Sequence, residues 1–94
     1  MSYSEFGRRP AENGSSGTDH GTANTHFVTG GLVKGGLYGA APELSRLDNG
    51  NLLHGLDFRN LYATALGPWW GAGAGAVDAT LGGRYQPIDL IRAI

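Results

Sequence analysis

Asp19 and His20 stand side by side in Gly17-Thr18-Asp19-His20-Gly21, and His26 follows in Thr25-His26-Phe27-Val28. Carboxylate and imidazole are both good ligands for zinc or manganese, and flanking glycines let the backbone fold closely around an ion. The same residue types are common in turns, where their side chains bond to nearby backbone groups, and composition alone favours such a solvated or backbone-bonding loop. His26 could join His20 or sit hydrogen-bonded at a sheet edge, and the second is the commoner role. His54 reads as structural or exposed, and Glu5 beside Phe6 adds a carboxylate without a pattern of its own. Lys34, in Val-Lys-Gly-Gly, invites comparison with a phosphate loop, yet no Gly-Lys-Ser/Thr and no helical pattern follow it, so a glycine-bent hairpin is the better reading. No Ser-His-Asp arrangement or nucleophile elbow is present to complete nucleophilic hydrolysis.

The elements that position these groups are short. Residues 1–6 read as the tail of something larger, and Gly7 to Asn24 as a long loop rich in Gly, Ser, Thr, Asn, Asp and Pro. Thr25 to Gly31 reads as a short strand stopped by Gly30-Gly31. Asn49-Gly50 between two pairs of leucines is a hairpin signal, because a two-residue turn needs positive φ. The strongest element is a helix over Asp57 to Leu66. Asp57 is its N-cap, Phe58, Leu61, Tyr62, Ala65 and Leu66 form an apolar stripe that should dock on a sheet, and Gly67-Pro68 ends it. Trp69-Trp70 then read as core anchors, Gly71 to Ala76 as a flexible connector, and Gln86 to Ile94 as the start of a short helix after Pro87.

Composition sets the outer bounds. A chain of 94 residues supports at most one small core. Its 17 glycines each cost backbone entropy when ordered, so loops must be abundant. A net charge of -1 gives no electrostatic footprint for nucleic acid or an anionic membrane surface, and no apolar run approaches the roughly 20 residues of a membrane helix. Without cysteine, any metal must be held by His, Asp, Glu or Asn. Arg8-Arg9 is followed by no apolar segment and is not an export signal on this chain.

Taken together, Ser-Glu-Phe-Gly-Arg, Gly-Thr-Asp-His-Gly, Val-Lys-Gly-Gly and Leu-Gly-Gly-Arg, in this order and spacing, resemble the C-terminal end of the domain-of-unknown-function family 1501. Those are sulfatase-like proteins placed in the alkaline phosphatase superfamily, and the resemblance covers essentially the whole chain. It implies a partial α/β alkaline-phosphatase-like sandwich: a few short strands, one clear helix over 57–66 and long glycine-rich loops. Residues 1–94 would be a single C-terminal fragment of a larger domain, whose upstream strands carry the nucleophile and the remaining metal ligands.

By order and by spacing to His-Phe-Val-Thr-Gly-Gly, His20 resembles the histidine of the second metal site, with Asp19 as its neighbour. Glu5-Phe6 falls where an Asp-His pair would stand. Glu5 keeps a carboxylate but Phe6 has no lone pair, a departure that points to one zinc or manganese ion, or none, rather than two. Lys34 is the implied anion contact, and phosphate, sulfate and phosphonate esters all fit as substrates. The expected partner is the missing upstream part of the same domain, and exposed strand edges favour self-association. This chain alone would be catalytically silent. Relatives are commonly exported by the twin-arginine route, which implies a periplasmic or cell-surface parent. The alternative is a non-catalytic interaction module built on the glycine-rich loops and Trp69-Trp70, or a remnant fragment with no metal site.

Overall fold

The computed structural model describes residues 1–92 and divides into two units. The first joins Met1–Thr29 to Gly39–Gly55. In it β1 (Gly7–Glu12) pairs antiparallel with β2 (Thr18–Gly21), and β3 (Leu47–Asp48) with β4 (Asn51–Leu52). The expected loop over Gly7 to Asn24 is therefore a hairpin. Its polar residues misled because they form the turn. Asn13 Oδ1 accepts from the amides of Ser15 at 2.9 Å and Gly17 at 3.1 Å, Asn13 N–H donates to the Gly17 carbonyl at 2.7 Å, and Ser16 takes φ 62°. The ladder is irregular between Arg8 and Glu12, around Pro10, which has no N–H to offer.

The β3–β4 hairpin forms as its sequence requires. Leu47 pairs with Leu52, and Asn49 (φ 51°) and Gly50 (φ 82°) supply the two left-handed residues of the turn. Arg9 packs on this turn, where a Cβ on Gly50 would come within 3.3 Å of its Nη1. The strand expected over Thr25 to Gly31 is absent. A single serine holds this segment, with Ser2 N–H donating to the Phe27 carbonyl and Ser2 Oγ accepting from the Phe27 amide, both at 2.9 Å, and Phe27 is 72% exposed. One residue's bonds do not make a ladder.

The second unit comprises Gly30–Tyr38 and the chain from Leu56 onward. Helix α1 (Phe58–Thr64) starts at a reciprocal cap: Asp57 accepts from the Arg59 amide at 2.9 Å, and Asn60 Oδ1 accepts from the Asp57 amide at 3.0 Å. Arg59 returns to Asp57 through Nε (2.8 Å) and Nη2 (2.7 Å) and stacks over Tyr85 at 4.4 Å. The Asp57 hydrogen bond, more than the neighbouring charges, holds the guanidinium pKa above its ordinary value, so this pair keeps its arginine charge at every pH below the alkaline extreme.

Gly67-Pro68 does not stop the helix. It continues as a π-helical turn over Ala65–Trp69, with Trp70 N–H reaching the Ala65 carbonyl at 2.9 Å, and ends at Gly71 (φ 90°). The wider turn accommodates a proline that would clash with the carbonyl four residues back in an α-helix. The apolar stripe does not dock on a sheet. Phe58 and Tyr62 lie exposed while Ala63 and Thr64 are buried, and α1 packs on a second helix, α2 (Ala74–Leu81). Trp69 and Trp70 are 56% and 73% exposed rather than core anchors.

Helix α2 begins inside the expected connector, because alanine is the best helix former and Val77 supplies a buried side chain. Gly82 (φ 74°) closes it in the left-handed conformation. The helix expected after Pro87 is also absent through Arg92, and its last two residues lie outside the described residues. Ile91 instead bridges antiparallel to Val33, with Lys34 N–H on the Leu90 carbonyl (2.8 Å) and Arg92 N–H on the Leu32 carbonyl (2.6 Å). β-Branched Ile88 and Ile91 suit that extended path.

The core of this unit is Ala63, Val77 and Leu90 with Thr64, which is 1% exposed. Thr64 Oγ1 donates to the Asn60 carbonyl at 2.8 Å and accepts from the Ile88 amide at 2.7 Å, tying α1 to the C-terminal segment. Thr64→Val keeps the shape and strands the Ile88 N–H. It is expected to destabilise this unit by about 1–3 kcal/mol, and Thr64→Ser by clearly less. Urea titration followed by tryptophan fluorescence, with exchange of the Ile88 amide, checks both.

Candidate functional site

Phe6, Arg8 and His20 share one face of the β1–β2 hairpin. Arg8 lies directly opposite His20, Phe6 stands two residues before Arg8, and side chains alternate along a strand. The His20 ring stacks on Phe6 with centroids 3.6 Å apart and planes inclined by 18°. Arg8 sits with Cζ 5.2 Å from the Phe6 centroid and donates through Nη1 to the Thr18 carbonyl at 2.6 Å. The Phe6 carbonyl accepts from Ser4 Oγ (2.6 Å) and Asn24 Nδ2 (3.2 Å), so the ring stands on a fixed backbone.

Two glycines permit this geometry. A Cβ on Gly7 would lie 1.9 Å from the Ala23 carbonyl oxygen, and one on Gly21 would lie 2.8 Å from the Arg8 carbonyl carbon, both impossibly close. Gly7 and Gly21 are register partners, so both constraints fall on one rung of the ladder.

Asp19 is the residue before His20 in β2 and so projects to the other face, where its Oδ1 accepts from Asn13 Nδ2 at 3.1 Å. The two side chains do not converge on one point. Glu5 is exposed beside Phe6. Lys34 belongs to the second unit, where its ammonium pairs with Asp89 at 2.6 Å, an exposed ion pair of small energetic weight. His26 Nδ1 meets Ser2 Oγ at 3.1 Å, and His54 is exposed. Among the described residues no group of three His, Asp or Glu side chains is placed to hold a metal ion.

Residue types alone passed over Phe6 and Arg8. Phe6 counted only as a side chain unable to ligate, and Arg8 only as half of an arginine pair. The available signal was their i, i+2 spacing opposite an equally short polar strand, which places both beside His20.

A family model described as a protein of unknown function (DUF1501) matches residues 1–81. The chain belongs to this family. Neither a curated protein nor a solved structure matches it at a significant level. In this DUF1501 chain the matched span contains both hairpins, α1 and α2.

The glycine clamp is directly testable. Gly7→Ala and Gly21→Ala are each expected to abolish hydrogen-exchange protection across Gly7–Gly21 and to remove the upfield ring-current shifts of His20. Gly14→Ala, with nothing within 4 Å of its added Cβ, should stay within about 0.5 kcal/mol of the parent.

Proposed function

We propose that this DUF1501 chain is the C-terminal segment of a sulfatase-like, metal-dependent ester hydrolase domain of alkaline-phosphatase-like build, catalytically silent by itself. The observation that carries the reading is His20, exposed on the β1–β2 hairpin with its ring stacked on Phe6. Stacking occupies a ring face and coordination uses an in-plane nitrogen lone pair, so both fit the same imidazole. Glu5, next in sequence to that platform, supplies the nearest carboxylate along the chain, while Asp19 braces the turn through Asn13. When bound, zinc or manganese would supply an activated water for attack on a phosphoric or sulfuric ester. The nucleophile and the remaining ligands would come from the upstream part of the same domain, which is also the proposed partner. Lys34 stays a secondary anion contact, since its ammonium is engaged by Asp89.

A second reading has its own support. Phe58, Trp69 and Trp70 expose large aromatic surfaces on one stretch of helix, and exposed apolar patches mark interaction sites, so the chain would serve as a non-catalytic interaction module.

Paramagnetic manganese separates the two. A ligand from one imidazole binds weakly, and line broadening by manganese detects weak sites. Broadening is expected to centre on His20 and Glu5, sparing His26 and His54, and to disappear in His20→Ala. Broadening indifferent to that substitution would remove the metal reading and leave the module.

A further inference from the structure

The chain holds two Asn-Gly pairs, Asn13-Gly14 and Asn49-Gly50, one in the turn of each hairpin. A glycine after asparagine has no side chain to shield its amide nitrogen, which can then attack the asparagine Cγ. Asn24, Asn51 and Asn60 precede Thr25, Leu52 and Leu61, which do shield it. We propose that Asn49 is a modification site of this chain, converted spontaneously to aspartate and isoaspartate, and that the fold protects Asn13 from the same reaction.

The step needs only the chain and water. The Gly50 amide gives its proton to solvent and its nitrogen bonds to the Asn49 Cγ. The Cγ–Nδ2 bond breaks, and Nδ2 takes up a proton and leaves as ammonia, closing a cyclic imide. Water then adds to one of the two imide carbonyls and breaks its bond to the ring nitrogen. Opening at Cγ gives aspartate on the original main chain. Opening at the main-chain carbonyl gives isoaspartate, in which the main chain runs through Cγ and is longer by a methylene.

The structure separates the two pairs. Asn13 is half-buried and its carboxamide is held at both ends: Oδ1 accepts from the Ser15 and Gly17 amides, and Nδ2 donates to Asp19 Oδ1 at 3.1 Å. Turning its Cγ onto the Gly14 nitrogen breaks these bonds. Asn49 is exposed, and among the described residues its side chain makes no hydrogen bond. Its hairpin has only two rungs, Leu47 with Leu52 and Asp48 with Asn51, and Leu47 is 41% exposed, so local opening costs little and frees the Asn49 backbone for ring closure. The products differ in effect. Aspartate adds a carboxylate to the turn on which Arg9 packs, whereas the longer isoaspartyl main chain destroys the two-residue geometry that pairs Leu47 with Leu52.

The test incubates the full chain in mildly alkaline, oxygen-labelled water, folded and in urea, and locates the incorporated label by mass spectrometry of tryptic peptides. In the folded chain Asn49 should convert at least roughly tenfold faster than Asn13, the effect of the hydrogen bonds that Asn13 must break. In urea the two rates should converge. Asn49→Gln should abolish label uptake in the peptide from Leu47 to Arg59, because the larger ring forms far more slowly. Equal rates in the folded chain, faster conversion at Asn13, or a ratio that survives in urea overturns the proposal. Uptake that persists in Asn49→Gln assigns the reaction to Asn51 and overturns it as well.

Discussion

At Gly7 and Gly21 neighbouring backbone, Ala23 in the one case and Arg8–Arg9 in the other, comes closer than any side chain permits, and the arrangement of the first unit follows from that contact. A β-carbon at Gly7 would occupy the position of the Ala23 carbonyl oxygen, so the chain can pass there only as bare backbone. That passage sets the register that puts Arg8 opposite His20, and the register puts Phe6 under the imidazole. Apolar burial contributes little to it, since Gly7 is the only residue of β1 or β2 that is buried. The hairpin is instead held by backbone pairing, by the Asn13 turn and by the stacked rings.

The second unit solves a related problem differently. Among the described residues its buried apolar side chains are Ala63, Val77 and Leu90, too few to fix the path of the chain beyond α2 by burial alone. The buried hydroxyl of Thr64 fills that role, because it satisfies the Ile88 amide that would otherwise be unpaired in the interior. From Ile88 the chain runs extended to its bridge with Val33, and Lys34 is positioned as a consequence of main-chain pairing. In both units, polar groups at defined positions do what a larger core does elsewhere.

This explains which parts of the molecule were legible in the amino-acid sequence. The Asn49-Gly50 hairpin and the start of α1 at Asp57 were readable, because each depends on a local rule: positive φ in a two-residue turn, and a side chain that caps the first amides. The β1–β2 hairpin was not, since its strands lack apolar alternation and pair through backbone over a polar turn. Helix α2 was hidden by Gly75 and the glycines that precede it, although Ala74, Ala76 and Val77 outweighed them. The strand expected at Phe27 failed for want of a partner strand, and Pro68 failed as a stop because a π-turn absorbed it. At the site, residue types favoured a solvated setting for Asp19-His20, and both are exposed. The opposite facing of Asp19 could not be anticipated, because it follows only once Thr18–Gly21 is known to be a strand.

That opposite facing constrains any hydrolase reading. For Asp19 and His20 to share an ion, β2 would have to twist out of its pleat and Asp19 would have to give up its bond from Asn13 Nδ2. Coordination by His20 alone requires neither change and keeps the Phe6 stack intact. A lone imidazole binds a divalent ion weakly, so affinity would arise only when other segments of the domain bring their ligands to it. Phe58, Trp69 and Trp70 of the second unit stand exposed, the apolar surface on which the alternative reading as an interaction module rests.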